Sequence, residues 1–333
     1  MQLPRARGPI SRHVIQKLTT ADGVRTTTEP EPEATRTRIV EDDDAQLALW
    51  VLYELHYRDF DAVPADMEWD AGLVALRRNL ELRFERELHE AVEPALKECA
   101  AAGDRVDVGA QIFALVEADD GPSVATFLQR EASREQMLDL LREKSLQQLK
   151  ESDPQAFVLP RLEGRAKVAL AELLYDEYGA GRPTHLHQAL YADALTAAGL
   201  DPTYGAYVDD VSALTLANAN VASLFALNRR LLGAAMGHFA TFEATSSVPS
   251  RKIAAGIERL GLPAAVAAYF HEHVEADAVH EQIAVGDICG TLVTEQPSLR
   301  SDVLFGAASC LHLQGLAGRE MLHRWTDRMD AAS

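Results

Sequence analysis

Residues 270–290 read FHEHVEADAVHEQIAVGDICG, a run with helical spacing that carries three histidines and five acids. His273, Asp277 and His280 stand at i, i+4 and i+7. At about 100° per residue they fall within roughly 60° of one another, so they form one polar stripe. Phe270, Val274, Ala278, Val279, Ile283 and Ala284 are apolar and several flank that stripe, which turns it toward a helix-packed interior. A buried carboxylate and two buried imidazoles are costly unless paired, hydrogen-bonded or bound to a metal. From this stretch alone both readings stand, a helix whose polar groups are satisfied by neighbours or water, and a metal site that draws further ligands from elsewhere.

Upstream, NVASLFALNRRLLGAAMGHFATFEATSS (220–247) reads as one long apolar helix, in which Glu243 ends a run of Leu, Ala, Met and Phe. Glu243 is a ligand candidate, with a last-turn position near solvent as the plainer alternative. His238, about 140° away around that helix, cannot share a site with it and is assigned a structural role. Further upstream, LLYDEYGAGRPTHLHQALY (173–191) puts Glu177 at the end of one apolar-faced helix and His187 at the start of the next. Gly179, Gly181 and Pro183 permit the bend between them. His185 competes with His187 for the imidazole role, and His187 is preferred.

The assembled set is Glu177, His187, Glu243, His273, Asp277 and His280, three carboxylates and three imidazoles on three helical segments. Mixed nitrogen and oxygen ligation of this size suits two iron or manganese ions, whereas structural zinc ordinarily takes four ligands, often with cysteine. Cys99, Cys289 and Cys310 stand far apart with no CxxC, as buried free thiols do.

The rest of the 333 residues agrees with an all-α fold. No period-2 segment of any length, Asn-Gly hairpin or fixed-period repeat interrupts the helical spacing. The sequence predicts a core bundle of about seven helices with extra helices on the N-terminal side. Residues 1–40 read as a flexible arm and linker, because TADGVRTTTEPEPEATRTRI (20–39) buries little. Residues 41–130 read as a helical extension packed on the core, and 131–330 as the core domain. One helix is predicted from about 263 to 289 and a closing one over about 295–330.

A net charge of −19 disfavours nucleic acid and anionic lipid, and no apolar run is long enough to span a membrane. The N-terminus lacks a secretory signal, and a cytoplasmic location is expected. No GxGxxG, P-loop or GxSxG occurs.

Together DEYGAGRPTHLH, LNRRLLGAAMGHFATFEATSS and HEHVEADAVHE, in this order, resemble the bacterial iron-containing redox enzymes of the haem-oxygenase-like diiron oxidase superfamily. The resemblance covers roughly residues 130–320 and includes LKESDPQAFVLPRLEGRAK. It implies a haem-oxygenase-like bundle without haem, with two irons held by Glu177, His187, Glu243, His273, Asp277 and His280. It also implies a further carboxylate from an earlier helix, for which Glu151 is the candidate. Enzymes of this kind use Fe(II)/Fe(III) and dioxygen as co-substrate for N-oxygenation, desaturation or carbon–carbon cleavage of a small-molecule substrate. With no flavin or nicotinamide motif, electrons would come from an external donor such as a reductase. Phe239, Phe242 and Tyr269 offer walls for a substrate channel, or simply core packing. The alternatives are a haem-binding or haem-degrading protein on the same fold, and a non-catalytic helical scaffold. A homodimer is compatible with the long helices.

Overall fold

Apolar side chains at three- and four-residue steps bury one face of each segment, and polar caps decide where each segment starts. A computed structural model describes residues 1–20, 38–103 and 106–331, without the side chains at 102, 275–278 and 328–331. Most of the linker expected over 20–40 lies outside the described residues. The helices are α1 (Pro9–Thr19), α2 (Asp43–Glu54), α3 (Ala71–Ala102), α4 (Val108–Ala118), α5 (Val124–Arg130), α6 (Arg134–Gln148) and α7 (Asp153–Ala156). There follow α8 (Gly164–Glu177), α9 (His187–Ala198), α10 (Ala213–Leu227), α11 (Leu232–Ala244), α12 (Ser247–Arg259), α13 (Ala264–Gln282), α14 (Thr291–Glu295) and α15 (Arg300–Ala331). Among the described residues there is no strand, and no helix is long and apolar enough to cross a membrane.

Local chemistry sets the ends. Asp42 accepts from the backbone N–H groups of Asp44 and Ala45 at the start of α2, and Ser133 and Gln136 cap each other's backbone at the start of α6. Gly199 closes α9 in the left-handed conformation, φ +78°. The N-terminal arm docks rather than trails: the Asp44 carboxylate accepts from Ile10 N and Ser11 N, and Arg7 donates to the Val208 and Val211 carbonyls.

The bundle that frames the site consists of α6, α8, α9, α10, α11, α13 and α15, with α12 packed outside against α13 and α5. One contiguous apolar core joins it to the N-terminal helices, from Val14 and Trp50 through Phe84 to Leu313 and Trp325. The helix expected over 220–247 is in fact two, because the chain leaves helical geometry at Asn228 (φ −100°, ψ 105°). Arg161 explains the break, since its guanidinium donates to the carbonyls of Ala226 and Leu227 that the ended helix leaves free. The interruption lets α11 take its own direction against α15. That crossing is so close that a Cβ on Gly237 would collide with the Val303 carbonyl, and one on Gly306 with the Ala234 carbonyl.

The helix predicted from 263 to 289 changes type partway. After α13 the chain runs on as a π-helical segment, Ile283–Gly290, before α14. This wider segment packs against α8 and α11. π-Turns concentrate at functional sites because the extra residue re-aims the side chains around them.

Candidate metal centre

Three reversals of the chain bring the polar residues together. Beyond α8 the chain folds back so tightly that a Cβ on Gly179 (φ +78°) would sit 2.6 Å from the Leu186 nitrogen and 2.7 Å from the His185 carbonyl carbon. Only glycine fits there, and the result is that α9 starts beside the end of α8. His187 Nδ1 comes to 3.1 Å from Glu177 Oε2, while His185 stays half-buried outside the cluster.

The second reversal follows α6. Ser152 holds φ +67°, a left-handed conformation that a non-glycine residue adopts at a cost. The turn it makes directs Glu151 to one side, and its own hydroxyl donates to Glu177 Oε2 at 3.0 Å. Gln188, next to His187, donates to the Glu151 carbonyl at 2.8 Å, and Arg58 donates to the Leu149 carbonyl at 2.7 Å. The third reversal, around α12, sets α11 with Glu243 against α13 with His273 and His280.

Two buried triads result, Glu151 with His187 and His273, and Glu177 with Glu243 and His280, each with its donor atoms within 4.8 Å of one another. Glu177 lies between them. Its Oε2 faces His187, and its Oε1 lies 3.1 Å from His280 Nδ1. His280 Nδ1 is also 3.6 Å from Glu243 Oε2, and His273 Nε2 is 3.4 Å from Glu151 Oε2. The His187 and His273 rings are 4.6 Å apart. Asp277 lies on α13 between the two histidines, and its side chain is outside the described residues.

The protonation of His273 follows from its neighbour. Its Nδ1 lies 2.8 Å from the Tyr269 carbonyl, which can only accept, so Nδ1 carries a proton and Nε2 is the nitrogen turned toward Glu151. Tyr269, expected as a channel wall or core packing, is buried and donates its phenol proton to Glu151 Oε2 at 3.0 Å. Burial, with the Glu151 carboxylate beside it, pushes this phenol well above the ordinary tyrosine value, so it remains a donor.

Without a metal the second triad holds protons tightly. Burial alone would lower His280, but Glu177 and Glu243 outweigh it and raise the imidazole to about 11. Burial would lower His187 too, and Glu177 reverses that shift upward. Burial raises the Glu243 carboxyl above its usual range. On Glu177 burial also acts upward, but the His187 and His280 imidazoles hold the carboxyl well below it.

The donor set fits two ions of the iron or manganese type. His187 Nδ1 and His280 Nδ1 are buried without an aligned hydrogen bond, although each has a carboxylate oxygen within 3.1 Å. Imidazole nitrogens and carboxylate oxygens gathered this closely can ligate a cation that displaces the imidazole protons. No cysteine belongs to either triad, and all three thiols are buried, which pushes Cys289 up to about 12. Beside Glu151 lies a cavity of about 30 Å³, walled in part by Ala222, His238, Phe239 and Phe242. It has room for a molecule the size of water. His238, assigned a structural role from sequence, is buried on this wall, and burial lowers its imidazole to about 4 so that it stays neutral.

The spacing of the sequence could not show that Ser152 and Tyr269 touch the carboxylates, since both contacts join distant segments. In a comparison with known families, the model of a family described as iron-containing redox enzyme matches residues 138–315, more than half of the chain and all of both triads. No curated protein matches this chain.

Proposed function

We propose, from the premise that this chain belongs to the family of iron-containing redox enzymes, that it is a non-haem diiron oxidase or oxygenase acting on a small organic substrate. The observation that carries the reading is the back-to-back arrangement of the triads, with one Glu177 oxygen turned to an imidazole of each. A single ion would leave one triad of buried, desolvated ligands without a purpose. Iron held there would supply the redox chemistry with dioxygen as co-substrate, and imidazole with carboxylate is a ligand mixture that tolerates both Fe(II) and Fe(III).

The chain's own residues divide the work. Glu151, His187 and His273 would hold one ion, and Glu177, Glu243 and His280 the other, with Asp277 beside them on α13. Glu177, with one oxygen toward His187 and the other toward His280, would serve both halves and stays ionised because both imidazoles face it. The apolar side chains of Phe239 and Phe242, with neutral His238, would keep bulk water from the Glu151 side and admit a small apolar reactant to the cavity there. Electrons would come from an external reductant, since no flavin or nicotinamide motif is present in the sequence. The substrate's reacting part is expected to enter on that same side.

The test is an anaerobic Fe(II) titration followed by exposure to dioxygen, with metal analysis and stopped-flow absorbance. Two irons per chain and a visible band that rises and decays on mixing are expected, and manganese serves as the parallel titrant. Absence of stoichiometric metal would refute the reading, and a Soret band on adding haem would favour the haem-binding alternative.

A further inference from the structure

Tyr269 stands one helical turn before His273 and reaches two ligands of the same triad by two different atoms. Its backbone carbonyl accepts from His273 Nδ1 at 2.8 Å, and its phenol donates to Glu151 Oε2 at 3.0 Å. Gln148, at the end of α6, donates from Nε2 to the phenol oxygen at 2.7 Å. The proton order therefore runs in one direction, from the Gln148 amide to Tyr269 and from Tyr269 to Glu151.

The triad needs this support for a reason visible in the backbone. His273 is fixed on a helix, but Glu151 lies beyond the end of α6 in the turn that Ser152 closes, so no helix holds its carboxylate. The other triad is supported differently, by the Ser152 hydroxyl that donates to Glu177 Oε2 at 3.0 Å. Glu243 and His280 are held against each other and against Glu177, with His280 Nδ1 3.6 Å from Glu243 Oε2 and 3.1 Å from Glu177 Oε1.

We infer that Tyr269 is the positioning residue of the Glu151/His187/His273 half, aligning Glu151 through its phenol and His273 through its carbonyl, with Gln148 orienting the phenol. The inference rests on the two-ion reading above and adds to it that the halves are supported unequally. Outer partners of this kind are worth about 10–100-fold in metal affinity.

The experiment is an anaerobic Co(II) titration followed by calorimetry and by the visible absorption of the bound ion. It uses the full chain, Tyr269→Phe, Glu151→Gln and the double variant. Tyr269→Phe keeps the ring against Tyr191, Phe270 and His273, and keeps the carbonyl contact, so only the phenol oxygen is lost. Two equivalents are expected in the parent. In Tyr269→Phe one should bind as before and the other about 10–100-fold more weakly, with an altered absorption band. The double variant should bind no more weakly than Glu151→Gln, because the phenol acts through that carboxylate. Gln148→Leu should give a smaller loss at the same ion, and it carries the test should Tyr269→Phe melt much below the parent without metal. Parental affinity at both ions, equal weakening of both, or additive losses in the double variant would each overturn the positioning role while leaving the two-ion reading intact. A parent that binds no Co(II) or Fe(II) would instead refute the two-ion reading, and the positioning role with it.

Discussion

The two triads stand back to back, yet they are built on different principles. Glu177, Glu243 and His280 come from the interiors or ends of three helices and bring two carboxylates to one imidazole. Glu151, His187 and His273 bring one carboxylate to two imidazoles, and two of the three come from a turn or from the first residue of a helix. The first triad is rich in charge, so Coulomb attraction alone gives it a strong claim on a cation in a dry interior. The Glu151 triad is poorer in charge and depends on hydrogen bonds from uncharged donors and on how tightly the chain turns. On the proposed two-ion reading, the difference teaches that one ion would be held by charge and the other by geometry, which makes the halves separable by substitution.

The sharpest way to break the comparison is to remove what the halves share. Glu177→Ala takes away the carboxylate that faces His187 on one side and His280 on the other, so both ions should be lost. Metal analysis after anaerobic Fe(II) loading is expected to fall from two per chain to none, and a variant that keeps one tightly bound ion would show that the halves are independent. Gly179→Ala attacks the geometric half alone. The new Cβ meets the backbone of Leu186 and His185 at a φ of +78°, so the turn must open and His187 must leave Glu177. Expected is the loss of one ion with the other retained, read by the same titration, together with a melting temperature lowered by several degrees. Equal retention of both ions would mean that the turn does not set the position of His187.

These two variants also mark how far the sequence could be read. The all-helical fold was legible because apolar spacing and caps such as Asp42 and Gly199 are local signals. Five of the six proposed ligands fall in the two triads, and they were legible for a similar reason: each is a titratable group on an apolar helical face or at its end. The sixth, Asp277, has its side chain outside the described residues. Glu151 was named only through a family resemblance, because it sits in a turn where an acid carries no periodic signal. The break at Asn228 was missed because the element that stabilises it, the Arg161 guanidinium, is supplied from 65 residues away. The π-helical segment was missed because its apolar spacing over eight residues differs too little from that of an α-helix. Nothing in the order of residues could show that Tyr269 would meet Glu151, since 118 residues separate them.

The smallest expected effect sharpens the charged half. In the metal-free protein His280 titrates at about 11, far above the ordinary histidine value near 6.5. Between those two values the folded chain holds a proton that the unfolded chain has released, so stability must fall as pH rises. The contribution is complete below about 6.5 and is lost as pH passes through about 11, at a rate on the order of 1 kcal/mol per pH unit. Glu177 works in the opposite sense, because its carboxyl is depressed: its contribution is present above the ordinary carboxylate range and is lost as pH falls through its folded value. From about pH 7 to about pH 8, below the range in which the thiols and phenols of the unfolded chain ionise, the slope belongs chiefly to the imidazolium of His280, with His187 adding in the same direction. A divalent ion takes the place of that proton, so loading with Mn(II) should flatten the slope and release protons into a weakly buffered solution. Melting temperatures measured across this range should fall with pH for the metal-free chain, fall less for His280→Ala, and stay level for the loaded protein. A metal-free chain whose melting temperature is indifferent to pH would show that His280 is not held as an imidazolium by Glu177 and Glu243. The charged half would then rest on the same kind of geometric support as its neighbour.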